Sequence, residues 1–521
     1  MDYRSFVSSC LIVLLLIGIT ACDSGGSGGA NPDAFITVWK TDNWGESREN
    51  QINLTTRGFG YNYKVDWGDG SSDSNVTGDI LHTYSSPGTY TVTITGDFPR
   101  IYFDHFEAGP YDSQKLISIE QWGTNQWTSM NHAFYDCSNL VINATDKPDL
   151  SQVRDMSYMF FSANSFNFPI NDWDVSQVTN MTYMFAYADA FNQDLSQWDV
   201  SSVANMSGMF AGTDSFNQDL SSWNVSSVTD MSFMFLGAGV FNQDISSWDV
   251  SNVTDMSWMF RDADLFDQDL NSWDVSSVTD MNGMFGNTAV FNSNLSSWDV
   301  SAVSSIGWMF AGSEVFNQDI SSWDMSSVTD IRGMFQEAIA FNQNISNWDV
   351  SSVTEMSEMF EGAIAFNQDI GSWDVSGVTD MERMFWGATV FNQDISGWDV
   401  SNVTTMRFMF RDASAFNQDI SNWNVSSVTN MEEMFRSADS FDQNLGVWNV
   451  ESVTDMENMF QDIALSTSNY DALLLGWSAQ SLQNDVLFSG GDSTYSSAAQ
   501  SARDILTGVF NWTVIDGGLE Q

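Results

Sequence analysis

Between residues 156 and 456 a methionine or isoleucine returns every 25 residues without insertion: Met156, Met181, Met206, Met231, Met256, Met281, Ile306, Ile331, Met356, Met381, Met406, Met431 and Met456. A unit of this length cannot enclose a core of its own, so it must bury its apolar face against its neighbours. That excludes a string of independent globular domains and predicts a solenoid. The fold question reduces to the path of one rung.

One rung reads FNQDISSWDVSNVTDMSWMF from Phe241 to Phe260. Ile245, Trp248 and Val250 have the I-x-x-W-x-V spacing of a leucine-rich-repeat strand. Period-2 alternation then points Trp248 and Val250 inward and Ser247, Asp249 and Ser251 outward. Val253, Met256, Met259, Phe260 and Ala263 follow, and the intervals i, i+3, i+4 and i+7 from Met256 predict a short helical stripe. Thr254 and Asp255 are suitable residues to cap it. The expectation is an α/β repeat solenoid, leucine-rich-repeat-like, with one strand and one short helix or 3-10 segment per rung over residues 156–460. Trp258, Gly283, Trp308, Arg332, Glu358, Arg383, Phe408 and Glu433 are read as one variable helical position. A backbone-satisfying ladder is expected from Asn242 and Asp244, repeated as Asn192 and Asp194 or Asn367 and Asp369.

Three chemistries compete with plain packing in this rung. Thioethers suit soft metals, but Ile306 and Ile331 replace methionine without disturbing the pattern, so the M-x-x-M column reads as core. The tryptophans from Trp173 to Trp448 face inward, which favours core over a carbohydrate platform. Asp174, Asp199, Asp249, Asp274, Asp299, Asp324, Asp349, Asp374 and Asp399 share one outward position and form the candidate ligand-binding concave face. The Gly-rich turn of calcium-binding β-rolls is missing, so an acidic ligand-facing surface is preferred there, with no metal and no cofactor.

The chain carries 68 acidic residues against 16 Lys plus Arg, a formal net charge of -52. Such a charge excludes nucleic acid and direct contact with an anionic lipid surface as partners and suits cationic ones. His82, His105 and His132 precede the regular array and match no catalytic motif, and no Walker loop or dinucleotide fingerprint occurs. The chain is therefore not expected to be an enzyme.

The N-terminus has an apolar run from Leu11 to Ile19 followed by small residues, as in a secretory signal. Ile19-Thr20-Ala21-Cys22 resembles a bacterial lipobox. That resemblance implies a signal peptide over 1–21, lipidation of Cys22, and a flexible tether over 22–34. Only Cys137 then remains as a thiol, at the register held elsewhere by Ala163 or Ala188, where it reads as buried core.

Over residues 35–98 the motifs Trp67-Gly68-Asp69-Gly70, His82-Thr83-Tyr84 and Pro87-Gly88-Thr89-Tyr90 resemble the PKD domain, an Ig-like β-sandwich. Residues 99–155 hold the first irregular rungs. M-x-x-M-F-x-x-A-x-x-F-N-Q-D-I-S-x-W-D-V-S-x-V-T-D, from about Lys115 to Phe460, resembles the repeat of BspA-like leucine-rich-repeat surface proteins, a type also found among mycoplasma surface lipoproteins. The resemblance implies an adhesin-like lipoprotein of the bacterial cell envelope, at the outer membrane or cell surface. It would touch the membrane through its lipid only and bind an extracellular protein or glycan. A structural spacer without a specific ligand is the alternative, and a calcium-dependent or carbohydrate-binding protein a lesser one. Residues 461–521 read as a cap with helices at Tyr470–Trp477 and Ser497–Leu506 and strands at Val486–Phe488 and Trp512–Ile515.

Overall fold

The computed structural model describes residues 31–103 and 111–520. The signal segment, Cys22, most of the tether and His105 lie outside the described residues.

The N-terminal strands are β1 (Phe35–Lys40), β2 (Gln51–Leu54), β3 (Asn62–Asp66), β4 (Ser72–Val76), β5 (Ile80–Thr83) and β6 (Thr89–Asp97); β7 (Leu116–Gln121) and β8 (Val141–Ile142) follow. One sheet has the order β4-β3-β6-β1-β7-β8, and β2 pairs with β5 in a second, two-stranded sheet. Alternation decides which face is buried: in β3 Tyr63 and Val65 point inward while Asn62, Lys64 and Asp66 are exposed. The turn after Trp67 needs glycine at Gly68, where φ is 77° and a Cβ would collide with the Thr91 carbonyl. β1 pairs antiparallel with β6 on one side and with β7 on the other, and β7 pairs parallel with β8. The sheet thus runs from the N-terminal strands directly into the first rungs. Phe35 meets Trp127 edge-on at 5.0 Å, Trp122 meets Trp173 at 5.6 Å, and one apolar core extends from Phe35 to Trp512. Beside this junction lies a buried ion pair: Lys115 Nζ is 3.3 Å from Asp112 Oδ1, with both side chains almost fully enclosed.

The regular rungs contain neither a helix nor a strand, which overturns the α/β expectation. Each contributes one isolated parallel bridge, through the residue ahead of the methionine column, from Asp155 and Asn180 onward to Asp455. The reason is in the backbone. Trp258 and Asp262 have φ of 60° and 58°, and their counterparts Tyr158 and Ser162, or Tyr183 and Tyr187, are also left-handed. A right-handed helix cannot run through such residues.

The apolar spacing is satisfied by consecutive turns. Met259, Arg261 and Ala263 donate their N–H groups to the carbonyls three residues back, at 3.2, 3.3 and 3.0 Å. The alternate donors, Met256, Trp258, Phe260 and Asp262, reach Asp280, Asn282, Met284 and Gly286 of the next rung at 3.0, 2.7, 2.9 and 2.9 Å. Every amide in this stretch therefore has a partner, half of them local and half between rungs. The proposed strand is likewise a pair of corners: Trp248 N–H donates to the Ile245 carbonyl and Val253 N–H to the Val250 carbonyl. Its facing was read correctly even so, since Trp248 and Val250 are buried and Asp249 is exposed.

Side chains then tie the rungs together. The methionine column is fully buried, as is Cys137, whose thiol is pushed well up by that burial. Phe260 stacks between Phe235 and Phe285 at 5.6 and 5.7 Å and against Phe266 of its own rung at 4.0 Å. The column tryptophans from Trp198 to Trp448 add a bond that spacing alone did not reveal: Trp273 Nε1, for example, donates to the Ile245 carbonyl of the preceding rung at 3.1 Å. The asparagine ladder is present. Asn242 Oδ1 accepts from Asp267 N–H at 3.0 Å and from Gln268 Nε2 at 2.7 Å, and Asp267 in turn accepts from Asn292 N–H at 3.1 Å. An oxygen is what the position requires, so aspartate is tolerated. Asp244 is not part of this ladder; it accepts from Ser246 N–H within its own rung.

After the last rung come α1 (Thr467–Trp477), β9 (Leu487–Ser489), β10 (Thr494–Tyr495), α2 (Gln500–Gly508), β11 (Thr513–Ile515) and β12 (Gly518–Leu519). These helices and the strands β9 and β11 fall close to the segments expected from sequence. Met456 bridges to Phe488, Phe460 N–H donates to the Ser489 carbonyl, and Trp477 Nε1 donates to the Leu445 carbonyl as a rung tryptophan would.

Candidate functional site

The aspartate column expected to face a ligand is exposed but locally committed. Asp249 Oδ1 accepts from Ser251 N–H at 3.2 Å and from Ser251 Oγ at 2.6 Å, closing a side-chain turn. Asp174, Asp199, Asp274, Asp324 and Asp349 hold Ser176, Ser201, Ser276, Ser326 and Ser351 through the same two bonds. Asp299, Asp374 and Asp399 accept the serine N–H. The serine hydroxyl and then its N–H hold the carboxyls of Asp249 and Asp274 below the usual carboxylate range. Asn224 makes both bonds to Ser226 with its amide oxygen. The turn therefore accounts for the column, and for its exchange with asparagine, without a ligand. No sheet underlies it, so the concave β-face is corrected together with the helix.

Variation between rungs is concentrated elsewhere, on the two left-handed residues of each rung and their neighbours. The position held by Trp258 continues through Gly283, Trp308, Gly333, Glu358, Arg383, Phe408 and Glu433, all with φ between 51° and 61°. Gly333, not Arg332, occupies the register there, and the position is a turn rather than a helix. Residues 156–460 contain six basic side chains, Arg261, Arg332, Arg383, Arg407, Arg411 and Arg436. All six lie one, two or five residues after the methionine column, hence on this face.

The face has two chemically different ends. Toward the C-terminal rungs every arginine has a partner: Arg332 pairs with Asp330, Arg407 with Glu432 and Arg411 with Glu433, each at 2.6 Å. Guanidinium groups also cover the rings there. Arg261 lies 4.6 Å from the Trp258 ring centre, Arg332 5.0 Å from Trp308, Arg411 4.7 Å from Trp386 and Arg407 4.2 Å from Phe408. Toward the N-terminal rungs, His132, Tyr135, Tyr158, Phe161, Tyr183 and Tyr187 line a groove of about 540 Å³. His132 stacks on Tyr158 at 4.8 Å, Tyr158 on Tyr183 at 5.3 Å, and Phe161 meets Tyr187 edge-on at 5.4 Å. Burial pushes the Tyr158 and Tyr183 hydroxyls up. Tyr187 remains 47% exposed.

Sequence reasoning saw this variation but missed the aromatic groove. Aligning the rungs by column would have exposed it, because Tyr158 and Tyr183 stand in consecutive rungs at the position of Trp258, and Tyr187 stands where other rungs carry serine, glycine, asparagine or an acid. Among the described residues no group of three or more His, Cys, Asp or Glu side chains converges as metal ligands would, and no helix is long and apolar enough to cross a membrane.

Among curated proteins none matches the chain. The family described as Mycoplasma protein of unknown function, DUF285, matches it over residues 128–243, 214–323, 304–404 and 365–473. These overlapping segments follow the stacked rungs and together cover more than half of the sequence, so the chain belongs to that family of repeat proteins.

Proposed function

We propose that this protein is a lipid-anchored, adhesin-like protein of the bacterial cell surface that binds a macromolecule through the variable face of its solenoid. The observation that carries the reading is the contrast within each rung. Columns that build the fold barely change, while the paired left-handed positions range over tyrosine, tryptophan, glycine, arginine and glutamate. Neither packing nor turn geometry calls for that range, and exposed aromatic and arginine side chains are the residues that carry binding energy at protein interfaces. The resemblance to BspA-like surface proteins and the lipobox ending at Cys22 support the surface setting. The PKD-like module over 35–98 fits a spacer that holds the array away from the membrane.

The test is a binding screen of the mature protein against matrix proteins and glycans at physiological salt. A ligand is expected whose affinity falls when Trp386 and Arg411 are replaced by alanine. Its affinity is expected to hold when Asp249, Asp274 and their column partners become asparagine, which keeps the turns. Binding that falls only with the asparagine set, or no binding at all, would overturn the proposal and favour the acidic column or a spacer.

A further inference from the structure

The two ends of the variable face treat aromatic rings differently. At the C-terminal end the rings of Trp258, Trp308, Trp386 and Phe408 are each covered by an arginine of the chain itself. The groove of Tyr158, Phe161, Tyr183 and Tyr187 contains aromatic rings too, the first three on the same columns, and the arginine nearest to them in sequence, Arg154, donates instead to the Ser151 and Val153 carbonyls. From Asp155 to Trp258 and on to Phe260 the chain carries twelve aspartates and not one lysine or arginine. A ring face is negative at its centre and attracts cations, most strongly where water is partly excluded.

From this we infer that the groove receives arginine side chains of a basic partner protein, supplying from outside the contact that Arg261, Arg332, Arg407 and Arg411 supply within. The inference rests on the reading of the variable face as a binding surface and names the chemistry at one end of it. Charge complementarity selects the occupant. A net charge of -52 draws a basic segment toward the array, and the aromatic rings at the groove's rim, with Tyr187 the most exposed, then favour guanidinium, which is flat and weakly hydrated, over the compact, strongly hydrated ammonium of lysine. The left-handed backbone matters too, since Gly208 and Gly212 leave room for Tyr183 and Tyr187 to lie along the face, where a Cβ at either glycine would strike the ring.

The test titrates the mature protein with a labelled arginine-serine peptide and with its lysine-serine counterpart of equal charge. The arginine peptide is expected to bind more tightly. Tyr183→Leu and Tyr187→Leu, which keep apolar bulk without the ring, should each weaken it by about threefold or more. Lysine-peptide binding should stay nearly unchanged in both variants. A photo-crosslinking arginine peptide should label the unaltered protein within residues 158–187, which tests the site should the leucine variants fold poorly. Equal affinity for both peptides, or labelling spread along the acidic array, would overturn the inference in favour of diffuse attraction. Natural-ligand binding that is lost in the Trp386 and Arg411 variants but kept in the tyrosine variants would overturn this inference alone and leave the proposed function standing.

Discussion

The indole of Trp258 rests on Gly283 of the following rung, at a point where any side chain on Gly283 would overlap the six-membered ring. The same relationship joins Tyr183 to Gly208 and Trp308 to Gly333. Where no glycine follows, as from Tyr158 to Tyr183, the rings stack instead. Neighbouring rungs therefore share one surface, and a residue in one sets what the next can carry.

Gly283→Ala should destabilise the array by about 1–3 kcal/mol, since alanine meets both the indole and a φ of 61°. Adding Trp258→Ala should recover part of the loss, because the collision disappears while the backbone strain persists. Thermal melts of the two single variants and the double variant check this; strictly additive losses would count against the contact.

The asparagine ladder predicts a difference between two substitutions at one site. Asn367 Oδ1 accepts from Asn392 N–H at 3.0 Å and from Gln393 Nε2 at 2.9 Å. Asn367→Ala leaves both donors without that acceptor and should cost about 1–3 kcal/mol. Asn367→Asp keeps an oxygen in place, as Asp267 does naturally, and should cost clearly less. Equal melting temperatures for wild type and the alanine variant would exclude the ladder as a source of stability.

Lys115 fastens the segment before β2 to the start of β7. Its ammonium donates to the carbonyls of Ser47, Arg48 and Gln51 at 3.0, 3.0 and 3.1 Å, and Asp112 Oδ2 accepts from Asn53 N–H at 2.7 Å. Lys115→Met would strand a buried carboxylate, a loss of about 3–5 kcal/mol. Lys115→Met combined with Asp112→Asn should be less damaging than the single change. Denaturant unfolding followed by tryptophan fluorescence distinguishes the two.

Acid should act in two opposite phases. The Asp69 carboxyl is held at about 2, first by the Ser71 hydroxyl, then by the Ser71 N–H and by His82; Asp199, Asp249 and Asp399 are also lowered by their serines. A depressed carboxyl stabilises the fold above its ordinary value near 4, and that stability is lost as pH falls toward the folded value. Asp189, Asp280 and Glu361 are raised instead, chiefly by burial. Their ionised forms weaken the fold at neutral pH, and protonation relieves them first. The melting temperature should therefore peak in mild acid, at about pH 5, and drop below about pH 4. A melt that keeps rising to pH 2 would contradict the serine-bound aspartates.

Much of the interior was legible in the chain because burial depends on which residues recur, not on how the backbone connects them. The periods of Met256, Phe260, Trp248 and Val250 were enough to assign the core, and the recurring Asn242 was enough to suggest the ladder. The same periods misled about secondary structure. An interval of i, i+3, i+4, i+7 describes a helical stripe and a run of turns equally well, and the difference lies in where each N–H goes. Trp258 and Asp262 adopt left-handed φ because alternate amides are drawn to carbonyls 24 residues ahead, which exist only once the next rung has stacked. The sequence by itself determined the 25-residue register, the buried columns and the acidic surface. Stacking decided the turn-built path, and with it the gathering of Tyr158, Phe161, Tyr183 and Tyr187 into one groove, because that groove depends on hydrogen bonds between rungs that no single rung can make.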